Sequence, residues 1–232
     1  MTSVLVVTGG PDHAHDFRSS SDALAQVLAA TGAQVRIVDH PDAVNDLLPG
    51  QFDALVVNAL RWQMLHDRYD HLRGDWGYRT PVTTRDTIRS FVAAGGGLLG
   101  NHTASICFDD WPEWGAILGG AWDWERSSHP PCGPVTARLA SAEAASHPVV
   151  QGLTELSLID EVYGDVRLDP AAQVLMTARR TPDDTEQPVV WSHRYQAGRV
   201  VYDGFGHDAA SLLDPRHQVL LQQALRWITE PH

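Results

Sequence analysis

The chain has 232 residues, of which 43% are hydrophobic and 20% charged, and this is the composition of an ordinary globular protein. Its net charge is −12 with only 17 lysines and arginines, which argues against a nucleic-acid partner because phosphate binding needs a basic face. Two cysteines are too few for a disulfide framework and favour a reducing compartment. With no signal peptide and no apolar run long enough to cross a bilayer, we expect a cytoplasmic protein without a membrane partner.

The first half of the chain alternates apolar runs with segments of helical spacing. Continuous apolar runs suit strands that are buried on both faces, and they predict four strands, at residues 4–7, 35–38, 54–57 and 98–99. Apolar residues at helical spacing predict helices over 21–30 and 84–94. Strands that alternate with helices predict a mainly parallel sheet with helices on both faces, and right-handed crossovers make it a doubly wound sandwich.

The second half of the chain is less regular. Short strands are predicted at 135–139, 173–178, 189–192 and 199–203. A turn at Ala197-Gly198 separates the last two of them, and a final helix is predicted over 215–229. Because neither a repeat nor a low-complexity linker interrupts the chain, we predict a single domain over residues 1–232.

Two long inserts, residues 60–82 and 109–131, are predicted to be polar loops of a length unusual in a compact domain. Six of the eight tryptophans lie in or between them: Trp62, Trp76, Trp111, Trp114, Trp122 and Trp124. Aromatic rings under long inserts usually form a satellite core. The alternative is a sugar site, in which Trp122 and Trp124 would stack on the flat C–H faces of the ligand.

Polar side chains follow several of the predicted strands, at the sheet edge where open parallel sheets bind their ligands. Histidine occurs at three of four such strand ends, and the candidate residues there are His13, His15, Asn58, Asn101, His102 and His207. Glu161 and Tyr163, next to an apolar stretch, are further candidates. Each has a simpler interpretation as a cap, a buried hydrogen-bonding histidine, a solvated loop residue or a surface acid. His129 and His147 adjoin prolines and are interpreted as turn residues.

Several local signatures are absent from the sequence. There is no Gly-x-Ser-x-Gly elbow for a serine nucleophile and no phosphate-binding loop ending in Gly-Lys-Ser/Thr. Cys107 lies five residues beyond a strand end, and we do not expect it to be a nucleophile.

The order of short segments along nearly the whole chain resembles the ThuA-like (trehalose-utilisation) family. The segments that carry the resemblance are 95–102, 114–120, His147-Pro148, 160–163, 188–191, 198–200 and Gly206-His207. The resemblance implies the flavodoxin-like three-layer α/β/α sandwich of the class I glutamine amidotransferase-like superfamily, and a role in the use of trehalose and related disaccharides.

Comparison with the amidotransferases gives an expectation about the reaction. His102 stands where those enzymes place their nucleophilic cysteine, and His207 stands near the place of their partner histidine, but no orienting glutamate follows it. Without a thiolate at the point of attack, glutamine hydrolysis through a thioester is not expected.

Three functions stay open from the sequence. In the leading hypothesis the protein is a hydrolase or lyase for a sugar or keto-disaccharide, with His102 and His207 as the acid/base pair and Glu161 orienting them or sharing the proton. The second hypothesis makes the same residues ligands of a divalent metal such as Zn²⁺. The third is a non-catalytic sugar-binding protein. Inserts often form contacts between copies, so a homodimer is also an expectation.

Overall fold

A computed structural model describes residues 1–12, 14–48 and 50–230 of the chain. The strands in these ranges are β1 Ser3–Gly9, β2 Gln34–Val38, β3 Ala54–Ala59, β4 Gly97–Asn101, β5 Gly120–Ala121, β6 Gly133–Leu139, β7 Glu155–Asp160, β8 Arg167–Leu168, β9 Gln173–Arg179, β10 Glu186–Tyr195 and β11 Gly198–Asp203. The α-helices are α1 Phe17–Ala29, α2 Val44–Leu47, α3 Asp70–Trp76, α4 Val82–Ala93, α5 Pro112–Leu118, α6 Ala209–Leu212 and α7 Pro215–Thr229. Within the described ranges, no helix has the length and apolar character of a membrane span.

Nine of the strands form one sheet in the order β2-β1-β3-β4-β11-β10-β9-β6-β7. The first five are all parallel to one another. Every residue of β3, β4 and β11 is buried, as expected for strands covered on both faces. The prediction of a mainly parallel, doubly wound α/β sheet is therefore confirmed.

Side-chain alternation along the parallel strands divides the core into two layers. Val4 and Val6 of β1 face the layer that contains α1 and α7, whereas Leu5 and Val7 face the layer that contains α4 and α5. Each helix contributes one apolar stripe, such as Leu24 and Leu28 in α1. The result is the three-layer α/β/α sandwich that the sequence predicts.

The last four strands extend the sheet in antiparallel fashion. β10 and β11 form a hairpin, and β9, β6 and β7 follow it towards the far edge. β7 is missing from the predicted strands. Its side chains alternate between buried and exposed, but the last buried one is the charged Asp160, and this hides the period of two. The omission matters because β7 leads directly into Glu161.

Both inserts contain helices, so the prediction that they are loops is wrong for residues 70–76 and 112–118. Helix α5 begins with Pro112 and buries Trp114, Ile117 and Leu118 on one face. It ends at Gly119, whose φ of 81° is in the left-handed region that favours glycine. The dense tryptophans and prolines of this segment conceal the short helical pattern.

Replacing Gly198 by Ala is expected to destabilise the fold. A Cβ atom at this position would overlap the carbonyl oxygen of Val92 in α4, and backbone cannot move as easily as a side chain. We expect a loss of about 1–3 kcal/mol in the free energy of unfolding, measured by urea titration. The matched control is Gly74→Ala in α3, where a Cβ meets nothing within 4 Å and the gain in helix propensity is up to about 1 kcal/mol. Equal stability of the two variants would contradict the steric argument.

Candidate functional site

His102 lies at the end of β4, in the middle of the sheet, with a left-handed backbone (φ 45°). Its side chain is 1% exposed. Nδ1 is 2.8 Å from the carbonyl oxygen of Gly204, which can only accept, so the imidazole proton is assigned to Nδ1. Nε2 then carries the lone pair and lies 3.2 Å from the hydroxyl of Tyr163. The sheet thus presents an imidazole whose Nδ1 is engaged by the backbone and whose Nε2 faces Tyr163.

Glu161 and His207 meet His102 at this edge of the sheet. Glu161 follows β7, and its Oε2 lies 3.5 Å from His102 Nε2 and 3.6 Å from His207 Nδ1. These separations are longer than ordinary hydrogen bonds, and both Glu161 Oε2 and His207 Nδ1 are buried without a hydrogen-bond partner. The expectation that residues 102, 161 and 207 converge agrees with this geometry.

Asp160 holds the loop that carries His207. One carboxylate oxygen accepts the backbone N–H of Gly206 at 2.8 Å and the hydroxyl of Ser211, and the other accepts the N–H of Glu161 at 2.7 Å. Gly206 has a φ of 102°, and a Cβ there would lie 2.9 Å from Asn101 Oδ1. A buried carboxylate and a glycine therefore set the position of the His207 backbone.

His15 completes the cluster from the loop after β1. Its ring centroid is 4.9 Å from that of His102 and 4.5 Å from that of His207, and its ring also stacks on Phe17, with centroids 5.5 Å apart. Both ring nitrogens are buried without a hydrogen-bond partner. Buried polar atoms are rarely left unpaired in proteins, so two free nitrogens here indicate a site for a ligand.

His129 joins the cluster, although the sequence predicts a turn residue at this position. It lies in the second insert, and its Nδ1 is 3.3 Å from Glu161 Oε1. Its side chain is 38% exposed, against 8% for Glu161, so it stands on the solvent side of the cluster. Its neighbouring prolines are a turn signal, and only the packing of the insert over the sheet brings the imidazole here.

The charges of the cluster depend on one another. Burial raises the pKa of Glu161, but the imidazoles of His102, His129 and His207 outweigh it and hold that pKa well below its ordinary value. In return, Glu161 raises the pKa of His129 and of His207. Burial, reinforced by repulsion from the other imidazoles, lowers the pKa of His15 to about 3. At neutral pH the centre therefore combines an ionised carboxylate with a neutral His15.

The donor set is one that could hold a divalent cation. One ligand atom from each of His15, His102, Glu161 and His207 lies within 4.8 Å of all the others. Tetrahedral zinc with bonds of about 2.0–2.1 Å holds its donor atoms roughly 3.3–3.4 Å apart. Glu161 Oε2 lies at similar distances from two of the imidazoles, 3.5 Å from His102 Nε2 and 3.6 Å from His207 Nδ1. Neutral imidazoles and one carboxylate suit zinc and similar ions. The backbone bond at His102 Nδ1 is of the kind that orients histidine ligands in metal sites.

The family model described as trehalose utilisation matches residues 3–228 of the sequence. The chain belongs to the ThuA family. A ThuA-like protein from Parabacteroides merdae has the same fold, with 21% identity, a TM-score of 0.78, and coverage of 99% of this chain and 90% of that one. A cytoplasmic protein from Salmonella typhimurium is 15% identical, with a TM-score of 0.68 and coverage of 98% and 99%.

A third likeness is to part of a larger enzyme. A cold-adapted β-galactosidase from Rahnella is 14% identical with a TM-score of 0.64, and the match covers 98% of this chain but 31% of that one. At these identities the solved structures show the shared fold alone. No curated protein sequence matches this ThuA-family chain.

The other predicted binding residues of this ThuA-family protein lie at different distances from the cluster. Tyr163 contacts His102 directly, and Trp122 packs on Tyr163 with ring centroids 5.2 Å apart. Asn101 donates to the carbonyl of Phe205 at 2.9 Å and supports the His207 loop. Asn58 donates to Ser20 and Ser21 of α1, and Trp124 is 44% exposed. His13 lies outside the described residues.

Cys107 is buried, and its thiol donates to the carbonyl of Ala59 at 2.9 Å. Burial raises the pKa of this thiol to about 12, so it stays protonated at neutral pH. These features support the expectation that it is not a nucleophile.

A cavity of about 750 Å³ lies at the opposite end of the sheet. It is lined by residues that precede β3 and β4 and by the end of α7, among them Phe52, Phe91 and Ile228. None of the predicted site residues within the described ranges lines it. In an open α/β sheet the carboxyl ends of the strands bind the ligand, so this cavity is a poorer candidate than the histidine cluster.

Proposed function

We propose that this ThuA-family chain is an enzyme of carbohydrate metabolism, a hydrolase or lyase for a disaccharide or keto-disaccharide of the trehalose type, with a divalent metal such as Zn²⁺ in its centre. One observation carries the proposal: four residues from distant parts of the chain bring their donor atoms within 4.8 Å of one another. The unpaired nitrogens of His15 and His207 and the unpaired Oε2 of Glu161 are the atoms that would bind the ion.

Each residue of the cluster has a defined chemical part. A bound divalent ion polarises a carbonyl or lowers the pKa of a water molecule. His102 offers Nε2 because its Nδ1 proton is engaged by Gly204. Burial raises the pKa of Tyr163 well above its ordinary value, so its hydroxyl stays protonated and can donate to a substrate oxygen. His129, on the solvent side and close to Glu161, is positioned to exchange a proton with the substrate.

A second candidate uses the same residues without a metal. Glu161 lies within 3.6 Å of both His102 and His207, so a carboxylate could share a proton with two imidazoles. A ketone acidifies the neighbouring C–H group, and such a pair could remove that proton before the leaving sugar departs. His207, whose pKa Glu161 raises, would then supply the proton to the leaving oxygen.

Further parts of the proposal rest on the same reasoning. Glutamine hydrolysis is not proposed, because the position after β4 carries His102 and the thiol of Cys107 is buried elsewhere. The proposed partner is a small carbohydrate, with no nucleic acid and no membrane, in the cytoplasm. A homodimer is retained as a proposal on the grounds of the two inserts.

The test begins with the metal. Protein purified without added metal is analysed for metal content, stripped with chelator, and titrated with Zn²⁺ by calorimetry. We expect one ion per chain and an affinity at least about 100-fold lower in His102→Ala, because a ligand is lost. The matched control is His193→Ala, since this histidine contacts Ala116 rather than the cluster.

Turnover then separates the candidates. With trehalose oxidised to a ketone on one ring, His102→Ala should abolish the release of the second sugar while the circular dichroism stays that of the folded protein. Turnover that requires zinc supports the metal enzyme, and full turnover in chelated protein supports the acid/base pair. If His102→Ala turns the substrate over normally, neither is right. Binding without any chemical change would identify a sugar-binding protein instead.

A further inference from the structure

An aromatic groove lies beside the histidine cluster, under the two inserts. We define it by Trp62, Tyr69, Trp122 and Trp124, which line a cavity of about 530 Å³. The volume is within the usual range for small-molecule sites. Trp62 comes from the first insert and Trp122 and Trp124 from the second, so the groove exists only because the two inserts meet above the sheet.

Trp122 connects the aromatic groove to the proposed catalytic centre. Its ring is 5.2 Å from the ring of Tyr163, whose hydroxyl contacts His102, and 6.1 Å from the ring of His129, which contacts Glu161. A single layer of side chains therefore separates the groove from the reacting groups. A ligand that occupies both must be longer than one small ring.

The walls of the aromatic groove suit a sugar ring. The rings of Trp62 and Trp124 are inclined by only 24° with centroids 6.4 Å apart, and Trp124 is 44% exposed. The electron-rich face of an indole attracts the C–H groups on the flat face of a pyranose. Polar side chains line the same cavity: Asp109, His66, Arg68 and Ser127. Together they offer the mixture of donors and acceptors that sugar hydroxyls need.

Trp62 adds an independent observation. It is 5% exposed, and its indole Nε1 is buried without a hydrogen-bond partner. An indole N–H that is buried usually finds an acceptor, and leaving one unpaired is unfavourable. A ligand hydroxyl bound in the groove would supply that acceptor.

We propose that the aromatic groove binds the second pyranose ring of a disaccharide while the first ring reaches the histidine cluster. This inference rests on the proposed function for its choice of ligand, and it deepens that function by assigning the place where the second ring of the disaccharide would bind. Trp122, shared between the two regions, would contact the atoms near the bond that joins the two rings.

The test measures binding alone, in chelated protein, so that it does not depend on metal or turnover. Calorimetric titrations with trehalose, maltose, sucrose and glucose are compared. We expect at least one disaccharide to bind about tenfold more tightly than glucose. Trp124→Ala should remove most of this preference and leave the glucose affinity within about twofold. Trp62→Phe, which keeps the ring but removes the N–H, should weaken disaccharide binding about threefold.

Controls separate this inference from the function on which it rests. Trp227→Phe alters an aromatic side chain near the start of β11, where Arg199 binds the Trp227 carbonyl, and should leave all sugar affinities unchanged. Trp124 is exposed enough for Trp124→Ala to fold and to keep the zinc affinity of the unaltered protein. If none of the three disaccharides binds more tightly than glucose, or if Trp124→Ala retains the full preference, the groove does not bind a second ring. Failure of the zinc titration alone would count against the metal centre and not against the groove.

Discussion

Glu161→Gln is expected to reduce zinc affinity by about 100-fold or more, because it removes the only carboxylate among the four proposed ligands. The glutamine has nearly the same shape, so loss of packing does not explain the effect. In the metal-free protein the pKa values of His129 and His207 should fall, since proximity to Glu161 is the main cause of their elevation. The two measurements are a calorimetric zinc titration and an NMR titration of the imidazole C–H signals.

The control for this variant is Glu155→Gln at the other end of β7. Glu155 is half-buried and lies 3.9 Å from Arg216, at the end of the strand away from the imidazoles, so zinc affinity and the histidine titrations should not change. If Glu161→Gln left the two histidine pKa values as they are, the coupling between Glu161 and these imidazoles would be refuted.

Asp203→Asn is expected to lower the free energy of unfolding by about 3 kcal/mol, because it removes one partner of a fully buried ion pair. His217 Nε2 lies 2.6 Å from Asp203 Oδ2, and both side chains are almost completely buried. The second nitrogen of His217 lies 2.8 Å from the carbonyl of Ser211, so the imidazole has a hydrogen-bond partner at each end. Urea unfolding measures the loss.

The effect of Asp203→Asn should depend on pH. Burial lowers the pKa of His217, but attraction to Asp203 outweighs it and the pKa is raised. A raised pKa in the folded state stabilises the protein fully below the unfolded value of about 6.5, and this contribution is lost as the pH rises through the folded value. The difference in stability between the unaltered protein and the variant should therefore be largest near pH 6 and shrink under alkaline conditions.

An exposed ion pair gives the control for this prediction. Arg179 and Glu186 pair at 2.9 Å across β9 and β10 with about half of each side chain exposed. Glu186→Gln should change stability by less than about 0.5–1 kcal/mol, because water screens such pairs. A stability difference for Asp203→Asn that did not vary with pH would show that His217 is not charged in the folded protein.

The parallel half of the fold could be predicted from local patterns. The apolar runs of β1, β3 and β4 have few interpretations other than strands buried on both faces, and the final helix 215–229 has the predicted bounds. β7 could not be recognised in the same way, because its last inward-facing residue is Asp160. Residues outside the strand stabilise this buried carboxylate, because it accepts hydrogen bonds from the N–H of Gly206 and the hydroxyl of Ser211.

The candidate site was predictable where its residues follow strands directly. His102 and His207 stand immediately after β4 and in the loop after β11, and the position of parallel strand ends is a general rule. His129 follows no such rule, because it reaches Glu161 from an insert whose path over the sheet depends on tertiary packing. The buried ion pair of Asp203 and His217 could not be predicted either, because a single histidine in a helix does not indicate which residue it will contact.

The left-handed backbone of His102 has a consequence for substitutions at this position. A residue with a Cβ atom is disfavoured by roughly 1 kcal/mol or more at a φ of 45°, whereas glycine adopts this conformation without steric cost. A glycine at position 102 would relieve this strain but would remove the imidazole from the cluster, so the strained backbone is part of the cost of placing a histidine side chain there.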